Sequence, residues 1–355
     1  MQCLRNQINI LDAMLTDNKF SALAISEHWL EEEEVAALRL DTYIIADFFV
    51  RKQHGHGGVM QFLNPEIEYK ALSNVNNLSI ELQVELCGLF LPKLDLYIIV
   101  IYRPPSGDLK LFIDLLMQLF NVLDYKTKHI IMGGDFNIHF EKGNDWSTHI
   151  LIDTFHSFNM YPLVKFFTRG KARLDNVFTN IDTNLITAEP MNLGVSDHTG
   201  VVVDIKNIVP CNNKSSKIIK ISRPITNVGK FNFFQYLDNI DWSFVEGDLE
   251  VQEKFNFFLN IIMYFFNLCF PIRRTLIKKR YNILCNNWFN SNLKQMRGTL
   301  KLINDAYRLH GTLELKKTLS QFKKKYNLAI REAKIKTNDK FIVDHRANPR
   351  ILWNI

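Results

Sequence analysis

A chain of 355 residues, 47% hydrophobic and 12% aromatic, is long enough for one large domain with an appendage or for two domains, and too apolar for global disorder. No apolar run approaches the roughly 18 residues of a membrane span, Met1 to Asn6 offers no apolar signal core, and the five scattered cysteines form no C-x-x-C pair, so an intracellular chain without a disulfide framework or cysteine zinc site is expected. The net charge of +6 divides unevenly: residues 1–209 hold 17 Lys and Arg against 26 Asp and Glu, while residues 210–355 hold 26 against 11, which points the second part toward nucleic acid or another polyanion, or else toward a merely solvated helical surface.

Leu4, Ile8, Leu11 and Leu15 fall at helical spacing. Residues 21–25 then read as a buried strand that ends in Ser26-Glu27-His28-Trp29, where Glu27 is a carboxylate in need of solvent, a partner or a metal. Residues 43–48 and 58–63 read as strands, separated by Gln53-His54-Gly55-His56-Gly57-Gly58, a glycine-rich turn in preference to a metal site. A half-buried strand is predicted from Ser79 to Leu91 and a central one over 96–102, closed by Arg103-Pro104-Pro105; Tyr102 at its end has a hydroxyl able to donate to a phosphate.

The periodicity of Phe112, Leu115, Leu116, Leu119, Phe120 and Leu123 marks a helix. The run His129-Ile130-Ile131-Met132 follows as a buried strand, ended by Gly133 and Gly134, which permit a sharp turn, and by the adjacent polar pair Asp135 and Asn137. A helix near 149–158 precedes the basic loop Thr168 to Arg173, in which Arg169 and Arg173 suit a phosphate backbone or solvent equally well. Asp175 stands at the mouth of a strand over 174–180, and Ser196-Asp197-His198 precedes an apolar strand over 201–205. Strands and helices alternate to about residue 206, which implies a layered α/β sandwich whose loops gather these strand-end residues at one rim.

In the basic part, Ser291 is expected to cap a helix bearing Leu293, Met296, Leu300, Ile303 and Tyr307; Gly311 breaks it, and Leu315, Leu319, Phe322, Tyr326, Ile330 and Ala333 mark a second. These stripes are most simply core seams. The expected organisation is a catalytic domain over 1–206, a linker over 207–230 and a basic helical region over 231–355.

The rim residues have the chemistry of phosphodiester hydrolysis. Carboxylates such as Glu27 hold a hard divalent ion, magnesium or manganese in preference to zinc. Asp135 is placed to orient or deprotonate water, with Asn137 holding it or the phosphate. His198 can donate to a phosphate oxygen, with Asp175 fixing its tautomer.

Gly134-Asp135-Phe136-Asn137, Ser196-Asp197-His198, Ser26-Glu27-His28-Trp29 and Leu174-Asp175-Asn176 resemble, in order, the motifs of the endonuclease/exonuclease/phosphatase superfamily. With Tyr102-Arg103-Pro104-Pro105-Ser106-Gly107 the likeness narrows to the endonuclease of non-LTR (LINE-type, jockey-like) retrotransposons. The resemblance implies a four-layer α/β sandwich that nicks DNA with magnesium or manganese, the exposed 3′-hydroxyl priming reverse transcription, in the nucleus or cytoplasm. It implies Glu27 and Asp197 at the metal, Tyr102 and His198 on phosphate, Asp135 and Asn137 on the nucleophile, and Asp175 behind His198; apart from the resemblance, Ser196, Arg169 and Arg173 are expected toward substrate. The second part resembles the helical connector that precedes a reverse transcriptase, with element RNA as a further partner, and Asn348-Pro349-Arg350-Ile351-Leu352-Trp353 resembles its close. It also implies an earlier strand carrying an Asn ligand; Met1 falls about where that strand finishes, so a truncated fragment of weakened activity, ending before the reverse transcriptase, is expected. The competing expectations are an inactive nucleic-acid-binding remnant and a phosphatase of small phosphoesters.

Overall fold

The computed structural model describes residues 4–18, 20–194, 196–206, 218–248, 250–277, 288–344 and 346. They fall into two compact units, residues 1–212 together with 282–355, and residues 213–281. Among the described residues no helix is long and apolar enough to cross a membrane.

The first unit runs α1 (Ile8–Asp17), β1 (Ala22–Ser26), α2 (Glu32–Ala37), β2 (Ile44–Phe49), β3 (Val59–Leu63), β4 (Lys70–Ala71), α3 (Ser73–Asn76), β5 (Glu85–Leu91), β6 (Leu96–Tyr102), α4 (Leu109–Val122), β7 (His129–Asp135), α5 (Trp146–Ser157), β8 (Tyr161–Pro162), β9 (Asp175–Thr179), β10 (Ile186–Met191) and β11 (Gly200–Ile205). One sheet has the order β4-β5-β6-β7-β9-β8, a second β1-β3-β2, and β10 pairs with β11. Alternate residues of the large sheet serve two cores. Ile99, Ile101, Ile130, Met132 and Phe178 pack under the apolar faces of α4 and α5. Their neighbours in the strands, among them Leu89, Leu96 and Ile98, meet Leu63 and Ala46 of the smaller sheet. The far face of that smaller sheet, through Ile25, Met60 and Phe62, is covered by Leu11, Met14 and Leu15 of α1 and Val35 of α2. The order helix, sheet, sheet, helix is the expected four-layer α/β sandwich.

Three local differences from the sequence reading have physical causes. β7 does not turn at Gly133 and Gly134 but runs through both to Asp135. There Gly134 has φ +151°, and a Cβ would lie 1.8 Å from the Ile101 carbonyl oxygen, so the glycine permits strand contact and not a turn. The strand expected from Ser79 begins only at Glu85, because Ile80 pairs back on Val84 in a tight loop and the Ser79 hydroxyl takes the Leu86 N–H at 2.9 Å. The third is β10, which contains Glu189 and Pro190 and is largely uncovered, so its sequence lacks an apolar alternation to betray it.

After the sandwich, α8 (Ser291–His310) and α9 (Leu313–Asp344) return to the same unit as a helical hairpin. Asn290, and not Ser291, caps α8, its side chain accepting from Leu293 N at 3.0 Å, and Gly311 closes it in the left-handed conformation, φ 64°. The two predicted stripes form one seam: Leu293, Leu300, Leu319, Tyr326 and Ile330 are buried together with Ile10 and Ala13 of α1 and with Trp288. Charges rim it, with Trp288 Nε1 donating to Asp41 at 2.7 Å, and Lys334 paired with the buried Asp12.

The second unit holds β12 (Ile218–Ser222), α6 (Asn227–Asp238), α7 (Val251–Cys269) and β13 (Arg273–Ile277), the strands antiparallel with Ile218 opposite Ile277. The helices meet through aromatic rings, Tyr236 stacking on Phe265 at 5.1 Å. Of the linker expected over 207–230, residues 218–222 are strand and 227–230 helix, while 207–217 lie outside the described residues, as do the closing residues 348–353. The single helical region expected over 231–355 is thus divided between the units, since the apolar seam of α8 and α9 has its complement on α1.

Candidate active site

Strand register assembles the site. Glu85 lies opposite Tyr102, Tyr102 opposite Asp135, and Asp135 opposite Asp175, so four polar residues stand abreast across β5, β6, β7 and β9 at one end of the sheet. Paired residues point to one face, here the face toward the second sheet. A cleft at this end is lined by Ser26, Glu27, Asp135, Asp175, Ser196, Asp197 and His198. Candidate ligand atoms of Asp135, Asp175 and His198 lie within 4.8 Å of one another.

Glu27 enters the cleft from a strained corner. Glu27 and Trp29 have φ 57° and 59°, a left-handed conformation costly for such side chains. Between them His28 is fully buried. Its Nδ1 accepts from Leu30 N at 3.0 Å, which puts the ring proton on Nε2, facing the Phe49 carbonyl at 3.0 Å. Burial lowers its pKa to about 4 against the opposing pull of that carbonyl, so the ring is neutral. Gly58 makes room: at φ +84° its Cβ would sit 2.3 Å from His28 Nε2. The Gly58 N–H is held in turn by Glu85, which also accepts from Arg51 Nε at 2.5 Å. Glu27 itself accepts the Tyr102 hydroxyl. Burial first, then the hydrogen bond and charge of Glu27, raise the pKa of that phenol, which stays protonated.

Asp135 is 4% exposed. Burial, then the Asp175 charge, push its pKa up to about 7, against the pull of His198 and of the Asn137 N–H, which bonds Asp135 Oδ1 at 3.0 Å. The Asn137 carboxamide donates to the Arg103 carbonyl at 2.8 Å and does not line the cleft. Arg103, buried, braces the same backbone, its guanidinium donating to the carbonyls of Phe136 and Gly107.

His198 Nδ1 bonds Asp175 Oδ2 at 2.7 Å. Burial lowers the imidazole's pKa, but the hydrogen bond and charge of Asp175, helped by Asp135 and Asp197, raise it overall. Ser196 lines the cleft while its hydroxyl accepts the His198 N–H at 3.1 Å. Asp197, expected at the metal, lines the cleft and pairs with Arg169 at 2.8 Å, both side chains nearly half exposed. Arg173, expected toward substrate, donates through its guanidinium to the carbonyls of Val164 and Phe140. The glycine-turn histidines stay outside the cleft, His54 on Glu81 at 2.8 Å and His56 edge-on to Trp29.

Sequence reasoning assigned no role to His28, Arg51, Glu85, Arg103 or Arg308. Arg308, on α8, donates to the carbonyls of Ser196 and His198 and to Thr199 Oγ1. Only His28 and Arg103 stood within motifs that could have flagged them.

Fold and cleft together resemble the endonuclease/exonuclease/phosphatase type: an α/β sandwich with an acidic, histidine-bearing cleft. Residues 96–202, from the start of β6 into β11, match the family model described as endonuclease-reverse transcriptase, which bears out the resemblance carried by the motifs. The chain is similar to the endonuclease domain of TRAS1, a telomere-specific non-LTR retrotransposon, at 16% identity over 57% of this chain and 93% of that one, TM-score 0.46. It is also similar to a 3′-5′ exonuclease (NExo) from Neisseria meningitidis, at 12% identity over 57% and 96%, TM-score 0.46. An AP endonuclease from Archaeoglobus fulgidus is 13% identical over 58% and 96%, TM-score 0.41. No curated protein matches the chain.

Proposed function

We propose that the chain nicks DNA by divalent-metal-assisted hydrolysis of a phosphodiester. The observation that carries this is the convergence of Asp135, Asp175 and His198 within 4.8 Å, beside Glu27, in one cleft. The residues fit a hard divalent cation: the donors are mainly carboxylate oxygens, and burial with neighbouring negative charge leaves Asp135 in want of positive charge. Glu27 and Asp197 are the residues to hold it, Asp197 releasing Arg169. Magnesium or manganese bound there neutralises the phosphate and eases departure of the ester oxygen.

The side chains supply the rest. Asp135, with a pKa near neutrality, orients the attacking water and takes its proton. Water oxygen bonds to phosphorus as Asp135 takes its proton, the bond from phosphorus to O3′ breaks, and O3′ takes a proton from solvent, leaving a 3′-hydroxyl and a 5′-phosphate. His198, its Nδ1 held by Asp175, uses Nε2 to donate to a phosphate oxygen. Tyr102 fixes Glu27 through its hydroxyl. Asn137 acts through the backbone that carries Asp135. The basic hairpin beside the cleft, where Lys323 of α9 feels the charges of Asp197 and Arg308, favours a polyanion over a small phosphoester. The family match over 96–202 supports a retrotransposon setting in which the 3′-hydroxyl primes reverse transcription.

The test is conversion of supercoiled plasmid to open circles by the full chain with magnesium or manganese, beside Asp135→Ala and a chelated sample. Nicking by the parent alone is expected. A folded parent that nicks with neither metal overturns the proposal.

A further inference from the structure

We propose that Arg308 is a positioning residue of the cleft: from α8 it fixes the loop carrying His198, so the hairpin α8–α9 is part of the hydrolytic apparatus. This rests on the reading of the cleft given above.

On the side of the sandwich, the loop between β10 and β11 is tied by a backbone bridge from His198 to Arg169 and by the Asp197–Arg169 ion pair. The Ser196 hydroxyl takes the His198 N–H, and on the side of the sandwich Thr199 N donates to the Thr168 carbonyl at 2.6 Å. The other side belongs to α8. One guanidinium spans the loop, Nη2 on the carbonyls of Ser196 (3.1 Å) and His198, Nη1 on Thr199 Oγ1 (3.0 Å). Upstream, Asn192 donates to Asp305 and accepts from Asn304 Nδ2 at 3.1 Å and Gly194 N at 2.8 Å. Asn304, Asp305 and Arg308 lie at helical spacing, so one face of α8 meets the loop at both ends. Only arginine offers several donors in a rigid plane with a charge that persists at every working pH, which suits it to bind two carbonyls and a hydroxyl together.

The contacts are made to the backbone on either side of the imidazole, not to its ring. Their consequence is therefore positional: they set where His198 stands relative to Asp175, 2.7 Å away. A displacement of about 1 Å at a reacting group costs up to roughly 100-fold in rate.

The experiment uses the full chain as parent, Arg308→Ala, Arg308→Lys, and Lys317→Ala as a control that removes one exposed charge from the same hairpin. Magnesium-dependent nicking of a labelled duplex is measured at saturating enzyme, with duplex affinity and melting temperature alongside. Arg308→Ala should nick about 10- to 100-fold more slowly at unchanged affinity; Arg308→Lys should recover part, millimolar guanidinium should restore several-fold activity to the alanine variant, and Lys317→Ala should match the parent. Independently of turnover, the His198 Nδ1–H proton resonance of the folded parent should be sharp and lost in Arg308→Ala but not in Lys317→Ala. Parent-like nicking by Arg308→Ala, or a loss wholly in affinity or folding, overturns the proposal, as does an undisturbed resonance. A parent that never nicks but loses the resonance in Arg308→Ala overturns the nuclease reading and leaves the positioning role standing.

Discussion

Two corners bring carboxylates into the cleft, and they are held by opposite means. The Ser26–Trp29 corner is fastened from inside: a neutral buried His28, a glycine with no room for a side chain, and the Arg51–Glu85 pair, whose side chains are 7% and 0% exposed. The Ser196–Thr199 loop is fastened at the periphery, by backbone contacts to Thr168 and Arg169, an exposed ion pair and a half-buried arginine. A corner fixed by the core cannot be loosened without cost to folding, whereas a loop fixed by peripheral hydrogen bonds can lose its geometry while the fold persists. Stability and activity should therefore separate at the second corner and fail together at the first.

The largest expected effect is on the loop. His198→Ala should cut nicking by about 1,000-fold by removing the donor to the phosphate, with a melting temperature within a few degrees of the parent; a large fall in melting temperature would break the contrast. Next, Gly58→Ala at the inner corner forces a Cβ onto His28 at positive φ and should cost about 2–4 kcal/mol in denaturant unfolding. Nicking should fall with it, because Glu27 moves when His28 does.

The pH dependence sharpens the contrast by its sign. His28 has a folded pKa near 4, below its unfolded value, so its contribution is present above about pH 6.5 and is lost as pH falls toward 4, about 3 kcal/mol at most. For His198 the folded pKa is raised, so its contribution is present below about 6.5 and is lost as pH rises through the folded value. Unfolding free energies measured in chelator from pH 4 to 8, with His28→Gln and His198→Ala compared against the parent, should show slopes changed in opposite directions. The smallest effect belongs to the seat of the hairpin. Trp288→Phe loses one hydrogen bond to Asp41 and should lower stability by about 1–2 kcal/mol with nicking intact.

The strands that bear the cleft residues were legible because apolar runs were bounded abruptly by Asp, Asn, Glu or His, ending at Asp135 after Ile131 and Met132 and beginning after Asp175 at Val177 and Phe178. The seam of α8 and α9 was legible from its spacing, but its partner was not, since Ile10 and Ala13 stand nearly three hundred residues earlier. Gly134 looked like a turn because a sequence cannot show the Ile101 carbonyl pressing on it from the next strand. The bonds that Arg173 and Asn137 make to the carbonyls of Phe140, Val164 and Arg103 were not legible, because those carbonyls belong to distant parts of the chain. Arg308 was beyond reach for the same reason, a lone arginine among many whose partners lie 110 residues back.

That separation sets an order of events during synthesis. The cleft carboxylates and His198 have all been made, and the sandwich core has its strands, by residue 205. The arginine that steadies the loop arrives only after the intervening unit of residues 213–281 has been made. On the positioning role assigned to Arg308, a nascent chain carries every hydrolytic side chain before it can use them well, and cutting competence is the last property it acquires.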